Sequence, residues 1–262
     1  MIEWDAYWKK MADSGYINYT PELLSVICST MDLSGKYVLE VGGGTGGNAS
    51  WLAQRGASVH LLDFSRSALQ ISAEVSSRSG AEIELVCADA YRLPYSDNYF
   101  DLIFHQGFLE HFRDPMPLIS EQLRVLREGG YVLIDVPQRY SLYTVWKHLL
   151  MALGRWEYGV WETEFSVDEL RRLLDRAGLV VVRAYAREYY PRPFYAVRHL
   201  HKVGERLLNR PIDLSGPGWE TYNMLWERFE RSWLGLHSLK CVGVLAQKVS
   251  QGVMRRADTV SL

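Results

Sequence analysis

Short apolar segments alternate with longer segments of helical period along most of the chain. The apolar segments that predict strands lie at 38–41, 59–63, 85–90, 100–105, 131–134 and 179–186. Apolar residues at helical spacing predict helices over 21–31, 47–55, 65–79, 115–126 and 167–177. Strands that alternate with helices indicate an α/β fold, in which right-handed crossovers connect a parallel sheet.

Capping signals support the later helices. Ser166 and Glu169 form a capping box before the helix over 167–177, and Gly178 would close it. Residues 126–130 are predicted to end the preceding helix, with the glycine pair as its cap and the fifth strand after it. Alternating apolar positions at 239–247 predict a seventh strand.

A glycine-rich turn follows the first predicted strand. It contains Gly42, Gly44, Gly46 and Gly47, and the next helix begins directly after it. A strand, a tight turn and a helix N-terminus allow a ligand to approach bare backbone N–H groups. Three of these glycines match the dinucleotide pattern G-x-G-x-x-G, which is a weak signal when it occurs alone. The turn therefore predicts a nucleotide-type site.

Acidic residues accompany the first three predicted strands. Glu40 lies two residues before the first glycine, Asp63 ends the second strand and Asp89 ends the third. An acid about 20 residues beyond a glycine turn is placed to accept hydrogen bonds from ribose hydroxyls. An acid at a strand end is also a common helix N-cap, and that alternative stays open for Asp63 and Asp89. Asp101, before the fourth strand, is interpreted as a packing and capping residue.

This series of motifs resembles the class I S-adenosylmethionine-dependent methyltransferases, and among them the small-molecule, type 11-like branch. Residues 40–46 match E-x-G-x-G-x-G, residues 109–111 match L-E-H, and the resemblance covers residues 36–182. It implies S-adenosyl-L-methionine as the cofactor and S-adenosyl-L-homocysteine as the product. It also implies a Rossmann-like, seven-stranded, mostly parallel sheet with helices on both faces, an antiparallel last strand and an inserted cap.

The resemblance also implies roles for individual residues. The glycines would lie against the methionine moiety, with Glu40 near its ammonium group. Asp63 would hold the ribose hydroxyls, and Asp89 would face the adenine amino group. His105 and Gln106 would border the sulfonium and the acceptor. The predicted cofactor-binding residues are Glu40, Gly42, Gly44, Gly46, Asp63, Phe64, Asp89, Ala90, His105 and Gln106.

The implied chemistry is methyl transfer to a hydroxyl, amine or carboxylate. Because a sulfonium makes its methyl group electrophilic, the enzyme contributes mainly orientation and exclusion of water. A hydroxyl acceptor also needs a general base, and His105 and His111 are the candidate catalytic residues because histidine accepts a proton near neutral pH. Each histidine has a structural alternative, in which it fixes neighbouring backbone. No compact His/Asp/Glu cluster in the sequence indicates a metal.

Composition and charge restrict the kinds of partner and metal site that we expect. The 262-residue chain has a formal charge of −2, so no global field favours nucleic acid and we expect no DNA partner. Cys28, Cys87 and Cys241 are far apart and form no C-x-x-C pair, which indicates neither a disulfide framework nor a zinc site. The N-terminus lacks a basic segment followed by an apolar one, so we expect a cytoplasmic protein.

Two segments exceed what the sheet requires, and they are predicted to form a cap. Six of the nine tryptophans fall within them: Trp146, Trp156, Trp161, Trp219, Trp226 and Trp233. The predicted organisation is an N-terminal helical segment (1–35), a core (36–137, 166–188 and 238–250), cap insertions (138–165 and 189–237) and a flexible tail (251–262). Both insertions should emerge at the carboxyl edge of the sheet, where ligands bind.

The nature of the acceptor stays open at this stage. Residues 142–153 are apolar but too few to span a bilayer, and the second insertion is locally basic with interleaved aromatic residues. Three interpretations remain: a pocket for an aromatic or lipid-like acceptor with an anionic group, a surface that contacts a membrane, or an ordinary cap core with a solvated basic face. In the N-terminal segment, Tyr7 or Tyr19 would reach the cofactor carboxylate or the acceptor, or the segment docks as an ordinary amphipathic helix.

Some enzyme classes are disfavoured. The segment 105–108, His-Gln-Gly-Phe, departs from the Asn/Asp-Pro-Pro-Tyr/Phe segment of enzymes that methylate exocyclic amines of nucleic acids. A small-molecule, lipid-like or saccharide acceptor is therefore favoured. The alternatives are a methyltransferase acting on protein or RNA, a non-catalytic cofactor-binding protein of the same fold, and a nicotinamide dehydrogenase. Oligomeric state is not predicted.

Overall fold

A seven-stranded sheet forms the centre of the computed structural model, which describes residues 4–12, 15–155, 162–187, 224, 228 and 232–249. The strand order is β3-β2-β1-β4-β5-β7-β6. The strands are β1 (Tyr37–Val41), β2 (Ser58–Asp63), β3 (Ile83–Cys87), β4 (Phe100–Gln106), β5 (Leu126–Pro137), β6 (Leu179–Arg187) and β7 (Cys241–Lys248). Strands β1 to β5 pair in parallel, and β7 is antiparallel to both its neighbours. The predicted α/β fold and its antiparallel last strand are confirmed.

Helices connect the strands. They are α1 (Trp4–Ala12), α2 (Pro21–Thr30), α3 (Gly47–Ala53), α4 (Arg66–Ser79), α5 (Met116–Val125), α6 (Leu142–Ala152), α7 (Val167–Arg176) and α8 (Trp233–Ser238), with a 3₁₀ turn at Leu109–His111. The five helices predicted from periodicity are all present, with small differences at their ends. The capping box is also confirmed, since Ser166 and Glu169 exchange side chain–backbone hydrogen bonds before α7.

Each face of the sheet carries its own apolar core. Leu39 and Val41 share one core with residues of α5 and α7. Val38 shares the other with residues of α2 and α3. Because consecutive residues of a strand point to opposite faces, Glu40 lies on the α2/α3 face together with Val38. The alternation thus directs Glu40 toward the helix that follows the glycine turn.

The prediction for residues 126–130 is wrong. Helix α5 ends at Val125, and Leu126 already has extended backbone and begins β5. Gly129 has a φ of +77°, and the pairing of β4 with β5 shifts register between Phe100 and Leu102. The glycine pair therefore lies within an irregular part of the strand and does not cap the helix.

The first predicted insertion contains α6, whose apolar side chains are largely exposed. The exposed apolar residues of this helix and its end are Leu142, Val145, Trp146, Leu149, Met151 and Leu153. Lys147, by contrast, is buried between Glu162 and Glu164. Most of the second insertion and the tail at 251–262 lie outside the described residues. In the described ranges, no helix has both the length and the apolar character needed to cross a membrane.

Candidate functional site

The glycine turn between β1 and α3 is held against the end of β2. Gly42 N–H donates to the Leu62 carbonyl at 2.7 Å, and Gly44 N–H donates to Asp63 Oδ2 at 3.1 Å. Gly44 has a φ of +55°, a conformation that glycine adopts without steric cost. A Cβ atom at Gly44 would also lie only 2.7 Å from the ring of Trp8. The turn therefore requires glycine here for both its backbone angle and its close packing.

Glu40 lies beneath this turn and is almost completely buried. Its Oε2 accepts a hydrogen bond from the Ala49 N–H at 3.1 Å, in the first part of α3. Burial raises the pKa of Glu40 to about 8, against the opposing effect of hydrogen bonds from Ala49 and Asn48. Glu40 is therefore mostly protonated at neutral pH, which the sequence did not indicate.

Asp63 holds two segments of backbone together. Oδ2 accepts from Gly44, and Oδ1 accepts from the Ser65 N–H at 2.8 Å. Burial raises the pKa of Asp63, while these backbone N–H groups act to lower it. A carboxylate has about four acceptor positions, so Asp63 keeps capacity for ligand hydroxyl groups after making these two bonds.

The next residues along this edge are more accessible. The Phe64 side chain is exposed, and Asp89 is exposed two residues beyond the end of β3. Asp89 Oδ1 accepts the Tyr91 N–H at 2.9 Å, while Ala90 is buried. Because β2 and β3 are parallel neighbours, these residues follow adjacent carboxyl ends. The third strand was predicted over 85–90 but spans Ile83–Cys87, so Asp89 lies beyond the strand that it was predicted to end.

His105 and Gln106 point to opposite faces of the sheet. His105 is fully buried, and neither of its ring nitrogens has a hydrogen-bond partner among the described residues. Its ring packs against Phe108 with a centroid distance of 5.6 Å. Burial lowers the pKa of His105 to about 3, which makes its imidazole a weak base. Gln106 instead faces α3 and hydrogen-bonds Asn48.

Helix α1 covers the turn and the other predicted histidine. The Trp8 ring lies against Gly44, and Trp4 packs edge-on against His111 with a centroid distance of 4.8 Å. Asp5 fixes the helix in place, since its Oδ1 accepts the Ser67 N–H at 3.0 Å. Of the two predicted tyrosines, Tyr7 packs between Trp4 and Trp8, and Tyr19 is half exposed.

Three polar residues around the turn were missed by sequence reasoning. The Asn18 side chain donates to the Gly43 carbonyl at 3.0 Å and accepts the Gly47 N–H at 3.1 Å. Thr20 and Asn48 bond to each other and to Gln106. Only Asn48, directly after the turn, had a positional signal; nothing in the sequence pattern linked Asn18 or Thr20 to the turn.

Glu110, the middle residue of the L-E-H motif beyond β4, was given no role by sequence reasoning. Glu110 is 2% exposed, and its Oε2 has no hydrogen-bond partner among the described residues. Burial raises its pKa well above the usual range, as do the nearby charges of Glu162 and Asp135, whereas Lys147 opposes them. Within the described ranges, no three His, Cys, Asp or Glu side chains could hold a metal ion.

Asp101 has a structural environment that agrees with its interpretation as a packing residue. Its Oδ2 accepts the Tyr37 N–H at 2.9 Å, and its carboxylate pairs with Lys36 and Arg127. These contacts join the start of β1 to β4 and β5. They lie at the edge of the sheet opposite to the glycine turn.

Known proteins resemble the chain in both sequence and fold. Residues 39–134 match a family model described as a methyltransferase domain. A fatty-acid O-methyltransferase of Mycolicibacterium smegmatis is 29% identical over 193 residues, which cover 69% of each chain. A ubiquinone biosynthesis O-methyltransferase of Thiobacillus denitrificans is 30% identical over 168 residues, which cover 61% of this chain and 71% of that protein.

A solved structure extends the likeness of fold over nearly the whole chain. The S-adenosylmethionine-dependent methyltransferase of Aquifex aeolicus superposes with a TM-score of 0.56 at 17% identity, over 94% of this chain and 98% of that one. At this identity the likeness concerns the fold alone. The chain spans less than half the length of several other curated relatives, between 40% and 43% of three of them. From the family match, the ubiquinone-pathway relative and the geometry of the turn, the chain belongs to the class I S-adenosylmethionine-dependent methyltransferases.

Proposed function

We propose that the chain transfers the methyl group of S-adenosyl-L-methionine to a small-molecule acceptor and releases S-adenosyl-L-homocysteine. The observation that carries this proposal is the position of three acidic residues on neighbouring strands. Glu40 lies in β1 beneath the glycine turn, Asp63 ends β2, and Asp89 lies two residues beyond the end of β3. The strand order reverses between β1 and β4, and ligands of open α/β sheets bind in the crevice at such a point.

The residues around the turn fit the proposed cofactor. We assign Gly42, Gly44 and Gly46 to its methionine moiety, as the resemblance to the family implies. The remaining acceptor capacity of Asp63 suits ribose hydroxyls, and the accessible carboxylate of Asp89 suits an adenine amino group. The adenine ring would lie between Phe64 and Ala90. Glu40 would face the ammonium group, whose charge favours the ionised carboxylate.

The chain's own residues would orient the reactants and exclude water. When bound, the cofactor supplies an electrophilic methyl group on sulfur. Helix α1 would cover it through Trp8, which shields the reaction from solvent. For a hydroxyl acceptor we favour His111 as the proton acceptor, since burial makes His105 a weak base. His105 would then serve as a packed wall of the site.

We further propose a hydroxyl, amine or carboxylate acceptor on a small, lipid-like or saccharide molecule. Support comes from two of the relatives, a fatty-acid O-methyltransferase and a ubiquinone biosynthesis O-methyltransferase. The exposed apolar residues of α6 support a peripheral contact with a membrane or lipid.

Calorimetric titration with S-adenosylmethionine, S-adenosylhomocysteine and NADH tests the cofactor. We expect micromolar binding of the first two and none of NADH. Asp63→Ala should weaken binding by about 1–3 kcal/mol, because the ribose hydroxyls lose a charged acceptor. Asp175→Ala, at an exposed position of α7, is the matched control and should bind like the wild type. Binding of NADH alone, or an unchanged affinity in a folded Asp63→Ala protein, would contradict the assignment.

A further inference from the structure

The Gln106 side chain ends β4 beside the glycine turn. In the pairing of β1 with β4, Glu40 lies opposite Phe104, so Gln106 continues past the strand pair at the level of Gly42. Its side chain is on the same face as Phe104, toward α3, and is only partly buried. The amide therefore stands at the crevice where we propose that the cofactor and acceptor meet.

A chain of hydrogen bonds fixes which amide atom of Gln106 is oxygen. The backbone N–H of Thr20 lies 2.9 Å from one amide atom of Asn48, and both residues are buried. A backbone N–H is always a donor, so this atom must be the Asn48 oxygen. The other Asn48 amide atom is then nitrogen, and it lies 3.0 Å from an amide atom of Gln106. That Gln106 atom must accept, and it is therefore Oε1.

The same oxygen receives a second hydrogen bond. Thr20 Oγ1 donates to Gln106 Oε1 at 2.8 Å, because the hydroxyl hydrogen can rotate to point at this acceptor. Two donors thus hold Oε1, and a flip of the amide would place its NH₂ group against the NH₂ of Asn48. The orientation of Gln106 is consequently set by the N-terminal segment and by α3, and the ligand is not needed to set it.

The opposite end of this amide is a donor that has no protein partner in the described part of the chain. Among the residues that the structure describes, none accepts a hydrogen bond from Gln106 Nε2. An amide NH₂ prefers an oxygen with free lone pairs and disfavours an ammonium group. We propose that Gln106 Nε2 donates to an oxygen of the bound ligand, and that Asn48 and Thr20 are positioning residues that present this donor.

Two sources could supply that oxygen, the carboxylate of the cofactor's methionine moiety or an oxygen of the acceptor. The inference rests on the proposed function, because both sources require a methyltransferase site. Gln106→Glu keeps the side-chain shape but replaces the free donor with a carboxylate oxygen. Gln70→Glu makes the same change at an exposed position of α4, where no described residue hydrogen-bonds the side chain, and serves as the control.

The test is calorimetric titration of the full chain with S-adenosylhomocysteine and with its decarboxylated analogue, which keeps the amine. If the cofactor carboxylate is the partner, Gln106→Glu weakens S-adenosylhomocysteine binding about tenfold or more and leaves the analogue within about twofold. If the acceptor is the partner, both affinities are retained. The cofactor-saturated variant then loses binding of an oxygen probe, either laurate or catechol, that the wild type binds.

Asn48→Asp tests the positioning role separately. The aspartate still accepts the Thr20 N–H but cannot donate to Gln106, so the amide is free to turn its oxygen toward the ligand. It should reproduce the ligand selectivity of Gln106→Glu, whereas a general structural defect would weaken the analogue equally. Unchanged S-adenosylhomocysteine affinity with no variant-dependent binding of either probe overturns the inference. Failure of the wild type to bind S-adenosylmethionine or S-adenosylhomocysteine overturns the proposed function itself.

Discussion

Replacing Glu40 by glutamine should remove a large part of the pH dependence of folding stability. Glu40 is 1% exposed, and its carboxyl accepts hydrogen bonds from the Ala49 N–H and from the Asn48 side-chain amide. Burial is the main reason why its pKa rises from an ordinary 4.5 to about 8. The negative charge of nearby Asp63 adds to this effect. A glutamine retains the shape and an oxygen for Ala49 but carries no titrating proton.

The higher pKa of Glu40 in the folded state determines whether stability rises or falls with pH. The folded chain holds the Glu40 proton more tightly than the unfolded chain does, so the contribution is fully present below about pH 4.5. It is lost progressively as the pH rises toward 8. One pKa unit corresponds to about 1.4 kcal/mol, so the wild type should lose on the order of 3 kcal/mol from this group between pH 5 and pH 8.

Urea denaturation of wild type and Glu40→Gln at pH 5, 6, 7 and 8 measures this difference. The free energy of unfolding of the wild type should fall relative to that of the variant by about 1.4 kcal/mol per pH unit in the middle of this range. The control is Glu74→Gln, at an exposed glutamate of α4 that pairs with Arg78. Its free energy of unfolding should stay parallel to that of the wild type over the same pH range. Parallel curves for wild type and Glu40→Gln would refute the argument, because they would mean that Glu40 is ionised in the folded protein.

Three further outcomes are expected from the same structure. S-adenosylhomocysteine binding at pH 7 should release up to about 0.9 proton in the wild type and almost none in Glu40→Gln. The ammonium group of the ligand lowers the pKa of Glu40, which then loses its proton. Calorimetry in buffers of different ionisation enthalpy counts the released protons. Trp8→Ala should speed cofactor dissociation in stopped-flow measurements with little change in association, because Trp8 covers Gly44, whereas tighter binding would mean that Trp8 competes for the cofactor's place. Arg187→Met should lower the free energy of unfolding by roughly 3–5 kcal/mol. The substitution removes the hydrogen bonds of 2.7 and 3.0 Å from Arg187 to Asp135 and leaves the Asp135 carboxylate buried without its charged partner. A loss below about 1 kcal/mol in urea denaturation would contradict this prediction.

The parts of the fold that were predictable share one property, which is that their signals are local. The glycine turn, Glu40 and the start of α3 all lie within one strand–turn–helix unit, while Asp63 ends β2 and Asp89 follows the end of β3. Their positions could be deduced from periodicity and from the residue types at the strand ends. The error at residues 126–130 had a local cause as well. A glycine pair after a helix resembles a cap, and only the pairing of β5 with β4 shows that the strand has already begun.

For His105 and Gln106, strand periodicity predicts the face of the sheet on which each side chain lies but not its environment. Both were predicted to border the sulfonium and the acceptor, yet consecutive residues of a strand face opposite sides of the sheet. Alternation alone therefore separates them, and Phe104, which shares the face of Gln106, packs in the core with α2 and α3. What alternation cannot provide is the environment on each side. The burial that makes His105 a weak base depends on packing by Phe108 and by residues distant in sequence.

The orientation of the Gln106 amide lies beyond any local pattern. It depends on a backbone N–H that is 28 residues from Asn48, and on side-chain bonds that span 58 and 86 residues. None of these three residues has a type or spacing that marks it as a partner of the others. Their connection arises because the segment before α2 crosses the glycine turn and reaches the end of β4. A ligand at this crevice would therefore meet a donor whose direction is determined by the N-terminal segment, so changes in that segment should alter ligand selectivity without any change in the glycine motif.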